Sequence, residues 1–482
     1  MTIVVPKPLP RVTVIGNGYL GATHAVCMAM LGFEVVGVDV DPTKIDRLNS
    51  GELPFFEPGL PEALTKALEL GTLRFTTDFA EVGSFGDVHF LCVGTPQQSD
   101  SYGADLRHVY AGIRLLAPYL NRRALIVGKS TVPAGTAAYL TDLVQRLAPA
   151  GRQVELAWNP EFLREGHAVE NTLHPDRLVF GVASEWAETQ LRTVYAPVLD
   201  DGTPLVVTDL ATAELIKVAA NSFLATKISY INAMAELCKA TGADVQHLAQ
   251  ALSYDSRIGG QFLQPGLGFG GGCLPKDIRA LLHRADELGV GQSVAFLREV
   301  DAINSRVRTR TVDMVRELAG GNLSGVRIAA FGAAFKPDSD DIRDAPALDV
   351  ARMLAESGAR VRVYDPQAMP NARRAYPCLE YADSALSAAR DADVVVLLTE
   401  WNEFRELDPN ALGEVVQHRR IVDGRHALNS ASYRACGWQY RALGRALEST
   451  DVEAHAYRGR PPRAEQGIES PASGTEPARP GV

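Results

Sequence analysis

Cysteine is sparse and unpaired in this chain of 482 residues. Cys27, Cys92, Cys238, Cys273, Cys378 and Cys436 form no CxxC pair and follow no regular spacing. That argues against a disulfide scaffold and against a zinc site, so no metal is expected, and it points to a reducing, cytoplasmic compartment. Long hydrophobic runs are missing too, and no membrane span is expected. The lightly charged stretch 11–30 has the look of a signal sequence, but its periodic apolar face and the glycine motif inside it argue for a folded element. An excess of basic charge is also absent. The formal net charge is −10, which does not suit a nucleic-acid partner. An acidic chain that binds a phosphorylated ligand must do so through glycine loops, helix N-termini and a few placed cations.

What is present is ordinary soluble-protein composition, 46% hydrophobic and 22% charged, over a length that calls for several cores. Arg11 to Ile15 reads as a strand. Gly16-Asn17-Gly18-Tyr19-Leu20-Gly21 follows, then an Ala-rich helical segment, then a second strand ending in Asp39. Strand, GxGxxG, helix, strand and acid is the dinucleotide-binding order. Asp39 lies 18 residues past Gly21, a spacing that suits ribose hydroxyls and repels a 2′-phosphate, so NAD is expected rather than NADP. Asp87 to Pro96 reads as a buried parallel strand that delivers Thr95 to the carboxyl edge of a sheet. A strand at 125–127 delivers Thr131 to the same crevice.

After a strand at 154–157 comes Trp158-Asn159-Pro160-Glu161-Phe162-Leu163-Arg164-Glu165-Gly166. Asn then Pro suits a helix start, and one helical turn would place Glu161 and Glu165 on one face. A pair of solvated acids is the plainer alternative. Asp209 opens a helical pattern of roughly 30 residues, about 45 Å long, that Gly242 stops. Lys217 and Asn221 share a face of it among small residues, and spacing leaves open whether they meet a ligand or solvent. Gly266-Leu267-Gly268-Phe269-Gly270-Gly271-Gly272-Cys273-Leu274-Pro275-Lys276-Asp277 then sets a thiol at the end of a glycine cradle, where a nucleophile can meet a closely held ligand. The last third repeats the strand–helix plan of the first without GxGxxG. It carries Phe335-Lys336-Pro337-Asp338 and Asp341-Ile342-Arg343-Asp344 in place of the glycines.

The expected fold is α/β, with two Rossmann-like doubly wound domains joined by a long central helix and a small helical domain. The expected division is a loose 1–10, a NAD-binding domain 11–205, a central domain 206–310 for dimerisation with the cysteine loop, a second Rossmann-like domain 320–455 whose charged loop could bind a nucleotide diphosphate, and a disordered tail 456–482 whose apolar content is low.

Gly16 to Gly21, Val93-Gly94-Thr95-Pro96, Asn159 to Gly166, Lys217 with Asn221, Gly268 to Asp277 and Phe335 to Arg343 together resemble the nucleotide-sugar 6-dehydrogenases of the UDP-glucose/GDP-mannose dehydrogenase family. The resemblance spans Arg11 to about Leu443. It implies oxidation of a sugar C6 alcohol to the acid with two NAD+, through a thiohemiacetal and a thioester on Cys273. It implies oxyanion stabilisation by Lys217 and Asn221, and proton and water handling by Asp277, Thr131 and Glu165. Glu161, Phe162, Leu163, Arg164, Arg257, Phe262, Leu263, Gln264, Pro265, Gly266, Gly270, Phe335, Lys336 and Arg425 would join Lys217 and Asn221 in holding the nucleotide sugar. Lys276, Arg343, Glu165 and Lys44 would complete the NAD site. A homodimer through the central helix is implied as well. Gly272 stands where many relatives have serine. A histidine beside the cysteine, seen with N-acetylated amino sugars, is absent, and His174-Pro175-Asp176-Arg177 resembles the UDP-glucose branch. UDP-glucose is the expected substrate, with TDP-glucose and GDP-mannose as alternatives. A two-electron hydroxyacid dehydrogenase and a non-catalytic nucleotide sensor are the readings of other classes.

Overall fold

The computed structural model describes residues 9–445. Residues 1–8 of the loose start expected over 1–10, and the tail expected over 456–482, lie outside the described residues.

Short apolar strands of β-branched residues build the first half. β1 (Val12–Ile15), β2 (Val35–Val38), β3 (Leu73–Thr76), β4 (Val88–Leu91), β5 (Ala124–Gly128), β6 (Val154–Trp158), β7 (Leu178–Gly181) and β8 (Leu205–Thr208) form one sheet in the order 3-2-1-4-5-6-7-8. Neighbours are parallel except β6 and β7. The inner strands β1, β2 and β4 are buried at every position, as expected where helices cover both faces, whereas the edge strand β3 alternates. A second sheet, all parallel, joins β9 (Arg327–Phe331), β10 (Arg360–Tyr364), β11 (Glu380–Tyr381), β12 (Val394–Leu397), β13 (Arg420–Asp423) and β14 (Gln439–Ala442) in the order 11-10-9-12-13-14. In both sheets the strand order reverses beside the first strand of the unit, and ligands of such folds sit beyond the carboxyl ends of the strands at that point. The two expected doubly wound units are therefore present.

The long helix runs Leu210–Thr241. Asp209 caps it by accepting from the Thr212 amide, and Gly242 ends it at φ +80°. Its inward face is unusual for a core helix: Glu214, Lys217, Asn221, Ser222, Ser229 and Asn232 are buried there among small residues. Leu215, Phe223, Tyr230 and Leu237 lie on the outside, 47–66% exposed. Thus buried polar groups share the inward face with Val218, Ile231 and several alanines, while an apolar stripe faces out.

One expectation fails. Asn159-Pro160 does not begin a helix; residues 159–164 are a loop, and the helix that follows is Ala168–Leu173. The Asn159 side chain is not free to cap. It is buried, donating to Val179 O and accepting from Lys129 Nζ at 2.9 Å and from the Tyr195 hydroxyl at 2.6 Å.

Candidate active site

The GxGxxG turn packs as its residue types demand. A Cβ on Gly21 would stand 1.8 Å from the Gly16 carbonyl oxygen, so helix and strand approach only with glycine there. Gly18 faces open space, and the helix Tyr19–Met30 that it begins has no side-chain cap and no acid in its first turn. Its first N–H groups are left for an anion. Asp39 directly follows β2, accepts from the Asn17 amide at 2.8 Å and pairs with Lys44 at 2.8 Å. Open turn, uncapped helix and acid fit a pyrophosphate and a ribose.

The ends of β4 and β5 converge as expected, with the Thr95 hydroxyl donating to Thr131 O at 2.8 Å. The loop after β6 supplies two acids to different partners. Glu161 accepts from the Leu163 amide at 2.6 Å and pairs with buried Lys217 at 3.0 Å. Burial alone would lower the Lys217 pKa, but the acidic groups that face it, Glu161 first, outweigh it and raise it. Burial pushes Glu161 up, and Lys217 and Lys129 reverse this, so its pKa is lowered. Glu165 instead meets the C-terminal unit: the Ser339 hydroxyl donates to it at 3.0 Å, Arg343 lies 3.4 Å away, and Lys336 donates to its carbonyl oxygen at 2.5 Å. Burial and the neighbouring Asp341 push its carboxyl up to about 7, against the pull of Arg343, Ser339 and Lys336.

The glycine loop is tied down along its length. Asn232 of the long helix accepts from Gly266 N at 3.0 Å, Asn304 holds both the N–H and the C=O of Phe269, and Gly271 N donates to Arg343 O. Arg425 donates to Gly268 O and to Phe335 O, both at 3.1 Å, and so pins the loop to the second unit. The loop ends on Cys273, which stands at the start of the helix Leu274–Glu287. Asp277, one turn on, is 1% exposed; it accepts from Asn221 and from Lys276.

Cys273, Glu165, Thr131, Thr95, Tyr19 and Arg343 share one cavity of about 530 Å³, which Gly18, Leu20, Glu161, Leu163 and Lys276 also line. Cys273 is open to that cavity yet enclosed by protein around it. Poor solvation, then Glu161, push its thiol up to about 12, more than Lys217 and Lys276 pull it down. The ligand-free site therefore holds a thiol at neutral pH, despite the helix start beneath it.

Other expected residues sit apart. Arg257 is exposed, folded back on Asp255 at 2.6 Å. Leu263 turns into the core against Ile231 and Val245. Phe262 adopts φ 63°, and Gln264 is exposed. Gly270, Pro265 and Gly266 are buried in the loop, Phe162 lies under the Arg177 guanidinium at 3.8 Å, and Arg164 is held by Asn171. Sequence reasoning missed Glu57, Lys129, Arg279 and Ser339. Arg279 lines the cavity and pairs with Asp301 and Asp344. Lys129 is enclosed behind Glu161, its pKa lowered to about 8 by burial. Lys129 lies two residues before Thr131 and Ser339 directly follows Phe335-Lys336-Pro337-Asp338, and that proximity is the only signal for them in the sequence.

A dinucleotide turn, a cavity thiol and a second doubly wound unit closing over them define an NAD-dependent oxidoreductase of nucleotide sugars. Models of the UDP-glucose/GDP-mannose dehydrogenase family match the NAD binding domain over residues 10–199, the central domain over 211–306 and the UDP binding domain over 329–430. The chain belongs to that family. It is 41% identical over 437 residues to a UDP-glucose 6-dehydrogenase of Rhizobium meliloti, covering 90% of this chain and 99% of that one. To that of Rickettsia felis it is 38% identical over 446 residues, covering 92% and 98%. Among solved structures, a UDP-glucose dehydrogenase from the archaeon Pyrobaculum islandicum superposes with a TM-score of 0.84 at 36% identity, over 92% of this chain and 100% of that one. A UDP-D-ManNAc dehydrogenase from Pyrococcus horikoshii does so with 0.79 at 29% identity, over 90% and 99%. No helix among the described residues is long and apolar enough to cross a membrane.

Proposed function

We propose that this enzyme converts UDP-glucose to UDP-glucuronate, with Cys273 as the covalent nucleophile. The observation that carries the reading is the shared cavity: the thiol opens beside the dinucleotide turn, with the Lys217, Asn221 and Asp277 cluster behind it. NAD+, when bound, supplies the hydride acceptor and a positive charge that offsets the acids around the thiol. The protein's own groups do the rest. Lys217 and the free N–H of Asn221 face the sugar C6 oxygen and stabilise it as it becomes an oxyanion. The alcohol loses a proton and a hydride to give the aldehyde. Cys273 adds to the aldehyde carbon, its proton passing to solvent through the Asp277 and Thr131 side of the cavity, and the former aldehyde oxygen becomes the oxyanion of the thiohemiacetal. The thiohemiacetal loses the second hydride to become a thioester. Glu165, with a pKa near neutrality, takes a proton from the water that cleaves it, and the Cys273 sulfur leaves as the C–S bond breaks and recovers a proton to restore the thiol. One alcohol, two NAD+ and one water give one carboxylate, two NADH and three protons.

Lys336, Phe335 and the 161–164 loop hold the diphosphate and sugar in this reading, and Asp39 with Lys44 takes the adenosine ribose. The domain division into 11–205, 206–310 and 320–455 goes with it. A homodimer is part of the reading too, supported by the exposed stripe Leu215, Phe223, Tyr230 and Leu237 on the long helix. Six free thiols accord with a reducing, cytoplasmic setting. The test is turnover of UDP-glucose, TDP-glucose and GDP-mannose with NADH and acid measured together. UDP-glucose is expected to give two NADH per acid and the highest kcat/KM. One NADH per product would point to a two-electron dehydrogenase.

A further inference from the structure

One buried carboxylate outside the reacting cluster touches both halves of the site. Glu57 is 2% exposed and sits in the loop ahead of the helix Leu60–Glu69. Its Oε2 accepts from the Gly166 amide at 2.7 Å and its Oε1 from the Ala168 amide at 2.6 Å. The Tyr19 hydroxyl donates to the same Oε2. Tyr19 is the residue after Gly18 in the dinucleotide turn, it lines the cavity, and its ring packs on Phe55 with centroids 4.9 Å apart. Gly166 in turn lies flat against the second unit, where a Cβ would stand 2.7 Å from Asp338 O. The preceding residue, Glu165, is the one held by Lys336 and Ser339. A continuous set of contacts therefore runs from the cofactor turn, through Tyr19 and Glu57, to the backbone of Gly166 and on to the loop of the sugar-nucleotide unit.

We propose that Glu57 is a positioning residue that makes binding of the cofactor and binding of the nucleotide sugar interdependent. The inference rests on the site reading given above. A carboxylate suits the task because it offers acceptors on both oxygens, and here three donors from two segments, Tyr19 of the dinucleotide turn and Gly166 with Ala168, use them. The linkage follows from the placement of those donors. A ligand that fixes Tyr19 fixes Glu57, which fixes Gly166 and hence the orientation of Glu165 towards Lys336. The converse holds for a ligand that orders the Lys336 loop, since coupling between two binding sites is reciprocal.

Glu57→Gln keeps the volume but replaces one acceptor oxygen by an amide NH2, which leaves a buried backbone N–H without a partner. Glu57→Asp keeps both acceptors on a shorter arm. NADH cannot take a hydride, so its fluorescence reports cofactor binding in the presence of UDP-glucose without turnover. In the parent protein, saturating UDP-glucose is expected to tighten NADH binding at least about fivefold, and NADH to tighten UDP-glucose by the same factor in calorimetry. In Glu57→Gln that factor is expected to fall below about twofold, with each ligand alone bound within about threefold of the parent, and Glu57→Asp is expected to restore most of it. A Glu57→Gln protein with the parent melting temperature and the parent factor overturns the proposal, as does a parent protein in which neither ligand affects the other. Where Glu57→Gln does not fold, Tyr19→Phe, which removes one hydroxyl, is judged by the same factor. A parent protein that binds neither ligand overturns the site reading itself; a parent that binds both with the factor unchanged in the variants overturns the Glu57 link alone.

Discussion

Asn221 donates its side-chain amide to Asp277 at 2.6 Å and so joins the long helix to the helix that starts at Cys273. The other Asp277 oxygen takes Lys276 at 2.6 Å, and the carboxylate is almost wholly enclosed. An amide has two N–H donors. With one held by Asp277, the second is oriented without further cost, which is what stabilising an oxyanion requires.

Asn221→Ala is therefore expected to lower kcat on the order of 10²-fold, near 3 kcal/mol of barrier, with KM for both substrates nearly unchanged. Steady-state kinetics checks this. A change confined to KM would mean that Asn221 serves binding and not the reacting oxygen.

Lys217 and Glu161 form a buried pair at 3.0 Å. Lys217→Met leaves Glu161 charged and without its counter-ion, and denaturant unfolding at neutral pH is expected to show a loss of about 3–5 kcal/mol. Lys217→Met with Glu161→Gln removes both charges and is expected to recover much of that stability while activity stays absent. Equal stability of the single and double variants would contradict the account.

Two glycines of the loop differ in what stands before them. A Cβ on Gly270 would lie 2.3 Å from the Asp344 carbonyl oxygen, which is backbone, whereas one on Gly272 would meet the Arg343 guanidinium at 2.3 Å, a movable side-chain end. Gly270→Ala is expected to cost about 1–3 kcal/mol of stability and most of the activity. Gly272→Ser is expected to fold normally and to raise KM for NAD+ several-fold by displacing Arg343. Thermal melts and NAD+ titrations separate the two.

Glu165 gives a pH signature. Burial, then Asp341, raise its carboxyl from the ordinary 4.5 to about 7, so the folded chain holds that proton more tightly than the unfolded chain does. The favourable contribution is whole below about pH 4.5 and is lost as pH rises through about 7. In ligand-free protein, Glu165→Gln is thus expected to melt like the parent near pH 4.5 and above it at pH 8, by at most about 3 kcal/mol. Ser339, Lys336, Arg343 and Asp341 are the polar groups that face it. A gain independent of pH would contradict the shift.

Much of this was legible in the chain. Gly16 to Gly21 with Asp39, and the apolar strands that follow, depend on local spacing, and the glycine loop announces its cysteine. Asp209 and Gly242 bound the long helix by capping chemistry alone. The Asn159-Pro160 helix was misread because Asn159 is taken by Lys129 and Tyr195, 30 and 36 residues away. Glu57 and Ser339 were missed for the same reason: their partners Ala168 and Glu165 lie 111 and 174 residues off, and no local period reports such a pairing. The inward polar face of the long helix shows as Lys217 and Asn221 on one face, but Glu161 and Asp277, which give that face its meaning, come from other segments.

The central claim is that Cys273 makes the second oxidation possible by adding to the aldehyde. Its thiol, pushed up to about 12 in the ligand-free site, must be drawn out as the reaction proceeds. The most direct measurement is NADH formed per UDP-glucuronate released, followed with mass spectrometry of acid-quenched enzyme, for the parent and for Cys273→Ser. The account predicts two NADH per acid and a quenched adduct on Cys273 in the parent, and neither net acid nor adduct in Cys273→Ser. Acid formation by Cys273→Ser at a rate near that of the parent would contradict it.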